Sequence, residues 1–464
     1  MSKEIYINST LAFCRQCNEV EQARIISRDN RVYLERSCPV NGLHSTRISS
    51  DYNWYTERMK YYSNFPKPKK HKDSIEGCPK DCGLCQWHSN AIILPVFSIT
   101  NACNLDCPKC FTYNRRDAKY YKSSGETKQI IHQIIEQSGG VQLINLTGGE
   151  PTLHPNLFEI IDACKVEGIR RITMNTNGIK LASNREFAEK LKESGVQLVL
   201  SLDTLNPEVS KIIYGKDLTV QKLKALEIIE ELEIPITILS VSIKDLNEKD
   251  ISSIAKTYLK KEIVRSMTIQ NMTFTGLNGS KFEPREHITI DDVEAYLTEE
   301  TEFCQNDFFP LASYHPMCYS IAYYFSKDSV FIPLTKILGR NSLIKLTTDS
   351  YLIDPGRDFS REFLNGINLL WADGEDERSI NILKGMINQL YPADREVTQK
   401  ERQDYFEKYF KMIYIHSHMD EDNFDLDRVS RCGDIVPDES GNMIPACSYN
   451  LLYRQKDTRF WVES

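Results

Sequence analysis

Three cysteines lie within eight residues in the sequence TNACNLDCPKCF. Their spacing places Cys103, Cys107 and Cys110 on one stripe of a helix, so three ordinary buried thiols are one interpretation. Pro108 argues against a helix, because its ring would clash with the carbonyl of Asn104 at a cost of roughly 3 kcal/mol. The segment is therefore predicted to be a loop whose thiolates converge on a metal or an iron–sulfur cluster, with no fourth cysteine nearby.

A second set of cysteines with the same spacing precedes the first, in the sequence CPKDCGLC. Cys78, Cys82 and Cys85 are again separated by three and then two residues, and proline and glycine again argue against a helix. This spacing predicts an auxiliary cluster. Its fourth ligand is His88, a distant cysteine or an exogenous group.

A third set lies near the N-terminus. Cys14 and Cys17 form a CxxC turn, an alternating stretch follows at 31–35, and Cys38 stands before a proline. This order predicts a small metal knuckle that contains a β-hairpin. Since only three cysteines are present, His44 or another part of the chain must supply the fourth ligand. Zinc and a single iron both suit such a sulfur-rich tetrahedral site.

The remaining cysteines divide into two groups. Cys164 lies inside a predicted helix, in the sequence IIDACKV, and is interpreted as a buried structural thiol. The other group matches in number one fully ligated cluster and consists of Cys304, Cys318, Cys432 and Cys447. Cys432 and Cys447 flank a predicted hairpin whose turn is DESGN at 438–442. Free thiols, or ligands for the site at Cys78, are the alternatives.

Length and composition restrict the class of protein. The chain has 464 residues, which allows several domains, and a formal net charge of −8, which gives no reason to expect nucleic acid. It begins without a signal peptide and has no apolar run long enough to span a membrane. We therefore expect a cytoplasmic protein without a transmembrane segment. Its 14 cysteines then favour metal ligation over disulfides, because the cytosol keeps thiols reduced.

Alternating strands and helices begin at residue 91 and must position these motifs. Apolar runs predict strands at 92–99, 141–146, 169–174, 197–202, 236–243 and 267–272. Helical periodicity predicts helices at 128–137, 156–166, 185–193 and 220–231. Repeated β-α units predict parallel strands with right-handed crossovers, and six such strands indicate an α/β fold with a partial or complete (β/α) barrel.

Polar motifs follow the first four of these strands. The cysteine loop follows the first strand, GGEP at 148–151 the second, NTNG at 175–178 the third, and Ser201-Leu202-Asp203 the fourth. In barrels of this kind the active site lies at the C-terminal ends of the strands. The four motifs are therefore predicted to form one site.

The spacing Cys-x3-Cys-x2-Cys followed by Phe111, together with GGEP and the β-α run, resembles the radical S-adenosylmethionine (SAM) enzymes over residues 90–280. The whole chain also resembles a narrower group, the tetraether synthase-like radical SAM proteins, which often carry a pterin-methylase label. The shared features are the CxxC with a later Cys-Pro, CPxxCGLCxxH at 78–88, and the closing segment at 431–450. This chain differs from the group in one feature. The group tends to have Pro-x-His-Gly after the third N-terminal cysteine, whereas Cys38 of this chain is followed by Pro-Val-Asn-Gly.

The resemblance implies roles for individual residues. Cys103, Cys107 and Cys110 would bind three irons of a [4Fe-4S] cluster, and the fourth iron would bind the amino and carboxylate groups of SAM. Gly148, Gly149 and Glu150 would receive the amino group, and Phe111 would lie against the adenine. The candidates for the carboxylate and ribose are Asn175, Asn177, Ser201 and Asp203. Reductive cleavage would yield a 5′-deoxyadenosyl radical that takes hydrogen from an unactivated carbon.

Four parts of the chain are predicted. They are a CxxC metal knuckle with zinc or rubredoxin-like iron at 1–55, a linker with the auxiliary-cluster motif at 56–90, the radical SAM core at 91–280, and an α+β cluster and substrate region at 281–464. The implied cofactors are the SAM-binding cluster, SAM, one or two auxiliary [4Fe-4S] clusters and the mononuclear metal. The implied partner is an external electron donor of the ferredoxin or flavodoxin type.

Three functions are compatible with the sequence. The first is C–C bond formation on a lipid-like substrate by a radical SAM oxidoreductase or transferase, for which the aromatic run at 319–325 is either a tunnel lining or plain core. The second is tailoring of a small molecule, by methylation or transfer of another SAM-derived group. The third is iron–sulfur electron transfer, which has no need for GGEP or for the polar residues at the strand ends.

Overall fold

The computed structural model of the chain describes residues 4–14, 16–61, 68, 72–114, 117–348 and 352–460. The predicted linker lies partly outside the described residues, at 62–67 and 69–71. Among the described helices, none combines the length and the apolar character that a membrane crossing requires. The cytoplasmic location stays a prediction.

Four antiparallel strands form a separate N-terminal sheet in chain order. They are β1 (Ile5–Cys14), β2 (Glu19–Arg28), β3 (Arg31–Cys38) and β4 (Gly42–Ser49). Asp29 and Asn30 join β2 to β3 with positive φ angles, as two-residue hairpins require. Helix α1 (Tyr52–Met59) follows, and Asp51 caps it by accepting from the backbone N–H groups of residues 53 and 54.

Six parallel strands form the centre of the second sheet. They are β5 (Leu94–Thr100), β6 (Leu143–Gly148), β7 (Arg171–Thr176), β8 (Gln197–Ser201), β9 (Ile236–Ser242) and β10 (Val264–Asn271). The connecting helices are α2 (Ser124–Ser138), α3 (Leu157–Ala163), α4 (Ile179–Ser183), α5 (Arg185–Ser194), α6 (Pro207–Tyr214), α7 (Thr219–Glu231) and α8 (Glu248–Tyr258). The predicted α/β fold is confirmed.

The first connecting helix, α2, illustrates how the local sequence defines these elements. Ser123 and Glu126 form a reciprocal capping box at its start, and Gly139 ends it in the left-handed conformation with φ 87°. Ile130, Ile131 and Ile134 are buried on one face, as 3.6-residue periodicity predicts, and belong to the core that covers the parallel strands.

The C-terminal part of the chain adds strands to both edges of this sheet. Its elements are α9 (Ile290–Glu300), β11 (Phe309–Pro310), β12 (Tyr319–Lys327), β13 (Val330–Pro333), α10 (Leu334–Leu338), α11 (Arg340–Leu346), α12 (Arg357–Ala372), α13 (Glu377–Leu390), α14 (Gln399–Tyr409), β14 (Phe410–His416), α15 (Leu426–Ser430), β15 (Asp434–Pro437), β16 (Met443–Pro445) and α16 (Ala446–Ser448). A π-helical turn at Tyr449–Tyr453 follows. The order is β11-β12-β14-β10-β9-β8-β7-β6-β5-β15-β16, with β13 beside β12.

Eight neighbouring strands of this sheet are parallel, because β14 pairs in parallel with β10 and β15 in parallel with β5. The two ends of the order, β11 and β16, are not paired with each other within the described ranges, so the barrel is partial. The domain boundary predicted at residue 280 stays a prediction, although strands from both sides of it share this sheet. The predicted hairpin after Cys432 is formed by β15 and β16.

Candidate functional site

A cleft of about 560 Å³ lies at the C-terminal ends of strands β5 to β8. Its lining includes ten of the residues predicted for the radical site, namely Cys103, Cys107, Cys110, Phe111, Gly148, Gly149, Glu150, Asn175, Asn177 and Ser201. Parallel pairing explains the convergence, since the register places Thr100 beside Gly148, and Thr176 beside Leu200.

The GGE turn packs directly against the cysteine loop. The N–H of Gly149 donates to the carbonyl of Thr100 at 2.8 Å, and the N–H of Glu150 donates to that of Ala102 at 2.7 Å. A Cβ atom on Gly149 would lie 2.3 Å from the Ala102 carbonyl oxygen, so this close approach needs glycine. The two glycines therefore position the loop.

The three thiols of the loop fit a cluster. Residues 101–107 form no helix, as Pro108 predicts, and all three side chains are partly exposed. Burial raises the pKa of Cys103 to about 11 and that of Cys107 to about 12. Thiolates in this place need a compensating positive charge, which the irons of a cluster supply.

Glu150 is held rigidly at the edge of the cleft and is only 2% exposed. Its Oε1 accepts from the N–H of Thr152 at 3.1 Å and from the hydroxyls of Thr152 and Thr176 at 2.6 and 2.8 Å. Its Oε2 accepts from the N–H of Asn177 at 2.7 Å. One lone pair on Oε2 remains for an ammonium donor in the cleft.

Asp203 differs from the other candidates in that it is not among the residues that line the cleft, and its contact with SAM stays a prediction. The side chain is fully buried, forms an ion pair with Lys109 of the cysteine loop, and accepts from the N–H of Val241 at 2.5 Å. One carboxylate oxygen pairs with the lysine, and the other accepts from the backbone donor. Asp203 thus holds the loop against the end of β8.

Sequence reasoning missed three residues that support the site. Lys222 of α7 is 1% exposed and donates to the carbonyls of Asn177 and Ser201 at 2.8 and 2.5 Å. Asn278 donates to the Asp106 carboxylate at 2.7 Å, and Lys109 pairs with Asp203. The sequence does not indicate that Lys222, a lysine on an amphipathic helix, is buried. Lys109 could have been found, because it lies between two cysteines of the motif.

A narrower cavity of about 200 Å³ continues from the cleft into the interior of the barrel, which we call the lumen. Four of the residues that line both spaces are Phe111, Thr112, Asn175 and Gln270. Polar side chains from neighbouring strands line the lumen, namely Asn145, Thr173, Gln197, Thr237, Ser266 and Thr268. They hydrogen-bond across the strands, with Asn145 to Thr173 at 2.9 Å, Gln197 to Thr237 at 3.0 Å, and Thr237 to Ser266 at 2.7 Å.

The cysteines predicted for a C-terminal cluster are only partly brought together. Burial raises the pKa of Cys432, and the neighbouring charges of Asp434, Cys447 and Cys318 raise it further, so these three thiols interact electrostatically. Cys304 corrects the prediction, since its side chain is exposed at a turn before β11 and interacts with Tyr324 instead. The four cysteines are widely separated in sequence, so the sequence did not indicate that Cys304 differs from the other three.

His418 was not predicted from the sequence and connects this C-terminal group with the cleft. Its Nδ1 lies 3.7 Å from the Sγ of Cys447, and its ring lies 5.7 Å from that of Phe111 at an interplanar angle of 30°. Burial lowers its pKa to about 4, so the imidazole is neutral near pH 7.

The second cysteine motif lines a cavity of about 870 Å³ beside β1 and β2. Cys78, Cys82, Cys85 and His88 all contribute to its lining, as the predicted auxiliary site requires. The hydrogen bond between the Cys78 and Cys82 thiols lowers the pKa of Cys82. The Tyr453 hydroxyl accepts from the N–H of Cys82 at 2.8 Å, so the π-helical turn supports this loop.

The N-terminal thiols form the tightest group. The Sγ atoms of Cys14, Cys17 and Cys38 all lie within 4.8 Å of one another, compatible with the roughly 3.8 Å that tetrahedral Zn–S bonds of about 2.3 Å imply. The Asn41 amide nitrogen lies 3.3 Å from the Cys38 sulfur and 3.5 Å from the Cys14 sulfur. His44 is not at this site, because its Nε2 lies 3.3 Å from an Asp422 oxygen.

Two family models match the chain. The radical SAM superfamily model matches residues 97–258, and the HMPTM N-terminal zinc ribbon domain model matches residues 6–50. The first match begins in β5 and ends in α8, and the second covers most of the N-terminal sheet with its three cysteines.

Named relatives and solved structures are also similar to this chain. The 7,8-dihydro-6-hydroxymethylpterin dimethyltransferase of Methanocaldococcus jannaschii is 26% identical over 96% of this chain and 94% of that protein. A probable GTP 3',8-cyclase of Methanococcus maripaludis is 39% identical over 31% of this chain and 47% of the cyclase. The crystal structure of Streptococcus suis SuiB bound to S-adenosylmethionine is 19% identical, with a TM-score of 0.38, over 57% of this chain and 65% of that chain.

Proposed function

The chain carries a radical SAM domain and is a radical SAM enzyme, and we propose that it transfers a SAM-derived methyl group to a small polar heterocycle held in the lumen. The radical SAM domain implies a [4Fe-4S] cluster and SAM. The observation that carries the proposal is the row of polar side chains from neighbouring strands in the lumen, which continues from the cleft and is otherwise lined mostly by apolar groups. The similarity to a pterin dimethyltransferase along nearly the whole chain supports the same class of substrate.

The residues of the cleft would hold these two groups. Cys103, Cys107 and Cys110 would ligate the cluster, and the fixed carboxylate of Glu150 would accept from the amino group of SAM. When bound, the cluster and SAM supply a radical that abstracts hydrogen from carbon. Phe111 lines both the cleft and the lumen, so a substrate in the lumen faces the reacting end of the cleft without crossing bulk water.

The lining of the lumen favours a polar substrate over a hydrocarbon chain. An apolar occupant would exclude water from the polar atoms of Asn450 and Arg454 that have no hydrogen-bond partner among the described residues, without replacing its hydrogen bonds. Each buried polar group deprived of a partner costs about 1–3 kcal/mol. A heterocycle with ring nitrogens and carbonyl groups replaces those bonds.

The lipid-like substrate predicted from the sequence stays a prediction. The aromatic run at 319–325 forms most of β12, is buried throughout, and belongs to the packed core. Of this run only Tyr319 reaches the lumen, among the residues that line it. The run therefore supports plain core, the other interpretation given above.

Additional metal centres complete the proposal. We assign an auxiliary [4Fe-4S] cluster to Cys78, Cys82 and Cys85, and a further one to Cys318, Cys432 and Cys447. The N-terminal thiols would hold zinc or a single iron, and a ferredoxin or flavodoxin would supply electrons. Iron analysis of the anaerobically reconstituted protein tests this assignment, and fewer than about twelve irons per chain would contradict it.

The experiment that tests the function compares two substrates on the reconstituted enzyme with dithionite and SAM. One is 7,8-dihydro-6-hydroxymethylpterin and the other is a phospholipid with saturated chains. We expect the pterin to stimulate 5′-deoxyadenosine formation and to gain mass in methyl steps. Stimulation by the lipid alone, with coupled-chain products, would contradict methyl transfer to a polar heterocycle.

A further inference from the structure

Two buried polar side chains of the C-terminal turn project into the lumen. Asn450 lies in the π-helical turn and Arg454 directly after it, and both line the lumen. They are 5% and 3% exposed. The intervening Tyr453 is tied to the loop of the second cysteine motif, so the turn is anchored from outside.

Both side chains keep polar atoms that have no hydrogen-bond partner among the described residues. These atoms are Asn450 Oδ1 and the Nε and Nη1 of Arg454. The remaining guanidinium nitrogen, Nη2, donates to Ser98 Oγ at 3.3 Å. Buried polar groups are nearly always paired in native proteins, so an acceptor and two donor groups on neighbouring turns of a cavity wall point to a ligand.

The position of the guanidinium is fixed by aromatic rings. Its carbon lies 5.1 Å from the ring centre of Tyr449 and 5.5 Å from that of Phe460. The nearby carboxylate of Asp457 is held by Arg459 at 2.7 Å and by the Tyr449 hydroxyl at 2.7 Å. Arg454 therefore has its charge without a carboxylate in direct contact among the described residues.

The other charged groups that line the lumen are already engaged. Arg171 forms an ion pair with Glu407. Asp434 accepts from the hydroxyls of Tyr314 and Tyr319 at 2.6 Å each. Among the described residues that line the lumen, the unpaired donors of Arg454 and the unpaired acceptor of Asn450 thus lie together at the C-terminal turn.

We propose that Arg454 and Asn450 bind the lactam edge of the substrate heterocycle, with Arg454 donating to the ring carbonyl and Asn450 accepting from the adjacent ring N–H. This assignment rests on the proposed function and names the group that the lumen recognises. A lactam edge offers an acceptor and a donor side by side, which matches what the two side chains lack. An oxyanion satisfies the guanidinium but leaves the Asn450 oxygen without a donor.

The test is equilibrium dialysis of the SAM-loaded holoenzyme with two pteridines. One is 7,8-dihydro-6-hydroxymethylpterin, which has the lactam, and the other is its diamino analogue, in which an amino group replaces the carbonyl and the ring N–H is lost. We expect the wild type to prefer the lactam at least about tenfold, as for a hydrogen bond to a charged group. Arg454→Met and Asn450→Leu should each reduce this preference to about twofold or less.

Two controls keep the outcomes distinct. Lys456→Met removes a cation two residues from Arg454 that is exposed and does not line the lumen, so its preference should remain. Asn450→Asp keeps an acceptor oxygen and should retain more of the preference than Asn450→Leu. Circular dichroism and the thermal unfolding midpoint of the Asn450 variants should match those of the wild type, which shows that they fold.

The possible failures separate the two proposals. A wild type that binds neither pteridine overturns the heterocycle substrate and this assignment together. A wild type that methylates the pterin but whose Arg454 and Asn450 variants keep the full preference overturns this assignment alone. Competition by inorganic phosphate in the wild type, absent in Arg454→Met, would identify an oxyanion site and likewise overturn the lactam edge.

Discussion

The cysteine loop of the cleft and the three thiols of the N-terminal sheet have the same number of ligands but different surroundings. In the cleft, Cys103, Cys107 and Cys110 border an open space of about 560 Å³. In the N-terminal sheet, the sulfurs lie within 4.8 Å of one another, and the amide of Asn41 covers two of them. An open coordination position is typical of a catalytic metal site and a closed one of a structural site.

The two sites also differ in how the protein treats the thiolate charge. Burial raises the pKa values of Cys103 and Cys107. Burial also disfavours the thiolate of Cys38, but N–H groups of Asn41 and Val40 outweigh it and lower the pKa to about 7. The closed site thus stabilises the thiolate of Cys38, although burial and the hydrogen bond to Cys38 raise the pKa of Cys17 to about 11, whereas both shifted thiols of the open site are raised.

Removal of one thiol from each site gives the largest expected contrast. Cys107→Ala should abolish formation of 5′-deoxyadenosine from SAM, a loss greater than the 10- to 100-fold typical of a lost supporting contact. Cys17→Ala should leave this activity within a few-fold of the wild type, because its site is remote from the cleft lining. Equal turnover by Cys107→Ala and the wild type would contradict the catalytic role of the loop.

The second prediction concerns the scaffold of the open site. Lys222→Met leaves the carbonyls of Asn177 and Ser201 without their donor and should lower the free energy of unfolding by about 1–3 kcal/mol. It should also weaken SAM binding, which equilibrium dialysis measures. The matched control Lys224→Met removes an exposed ion pair with Glu227, worth at most about 1 kcal/mol, and should change neither property appreciably. Similar losses in both variants would refute the supporting role of Lys222.

Much of the open site followed from the sequence, because strand periodicity and motif position determine it. Six apolar runs correspond to β5 through β10, and Pro108 excludes a helix for the cysteine loop. Parallel strands bring their C-terminal ends to one edge, so GGEP and NTNG meet the loop without further information.

The supporting contacts did not follow from the sequence, because they depend on three-dimensional packing. The pairing of Asp203 with Lys109 did not follow from its position after β8, which predicted a ligand. The separation of Cys304 from Cys318 depends on the path between α9 and β12. The π-helical turn that carries Arg454 into the lumen has no recognisable pattern in one sequence.

The third prediction adds a possible fourth ligand to the closed site. Asn41→His restores Pro-x-His-Gly, and the imidazole replaces an amide that lies 3.3 Å from the Cys38 sulfur. We expect zinc affinity, measured by chelator competition, to rise about 10- to 100-fold with no change in SAM cleavage. Asn41→Gln is the control, because it retains an amide. Unchanged affinity in Asn41→His would mean that another group already completes the site.

The smallest expected effect is a difference in titration between the metal-free sites. The folded-state pKa of Cys38 is about 7, below the ordinary thiol pKa of about 9. Its thiolate therefore stabilises the apo sheet fully above about pH 9, and this stabilisation is lost as the pH falls through about 7. The pKa of Cys107, raised by burial to about 12, has the opposite sign, so its contribution to the stability of the apo protein is present below about pH 9 and is lost as the pH rises toward about 12. Thiolate absorbance of the apo protein should therefore show a step near pH 7 that Cys38→Ser removes and Cys107→Ser keeps. A step that survives Cys38→Ser would show that the N–H groups around Asn41 do not stabilise this thiolate, and the electrostatic part of the contrast between the sites would fail.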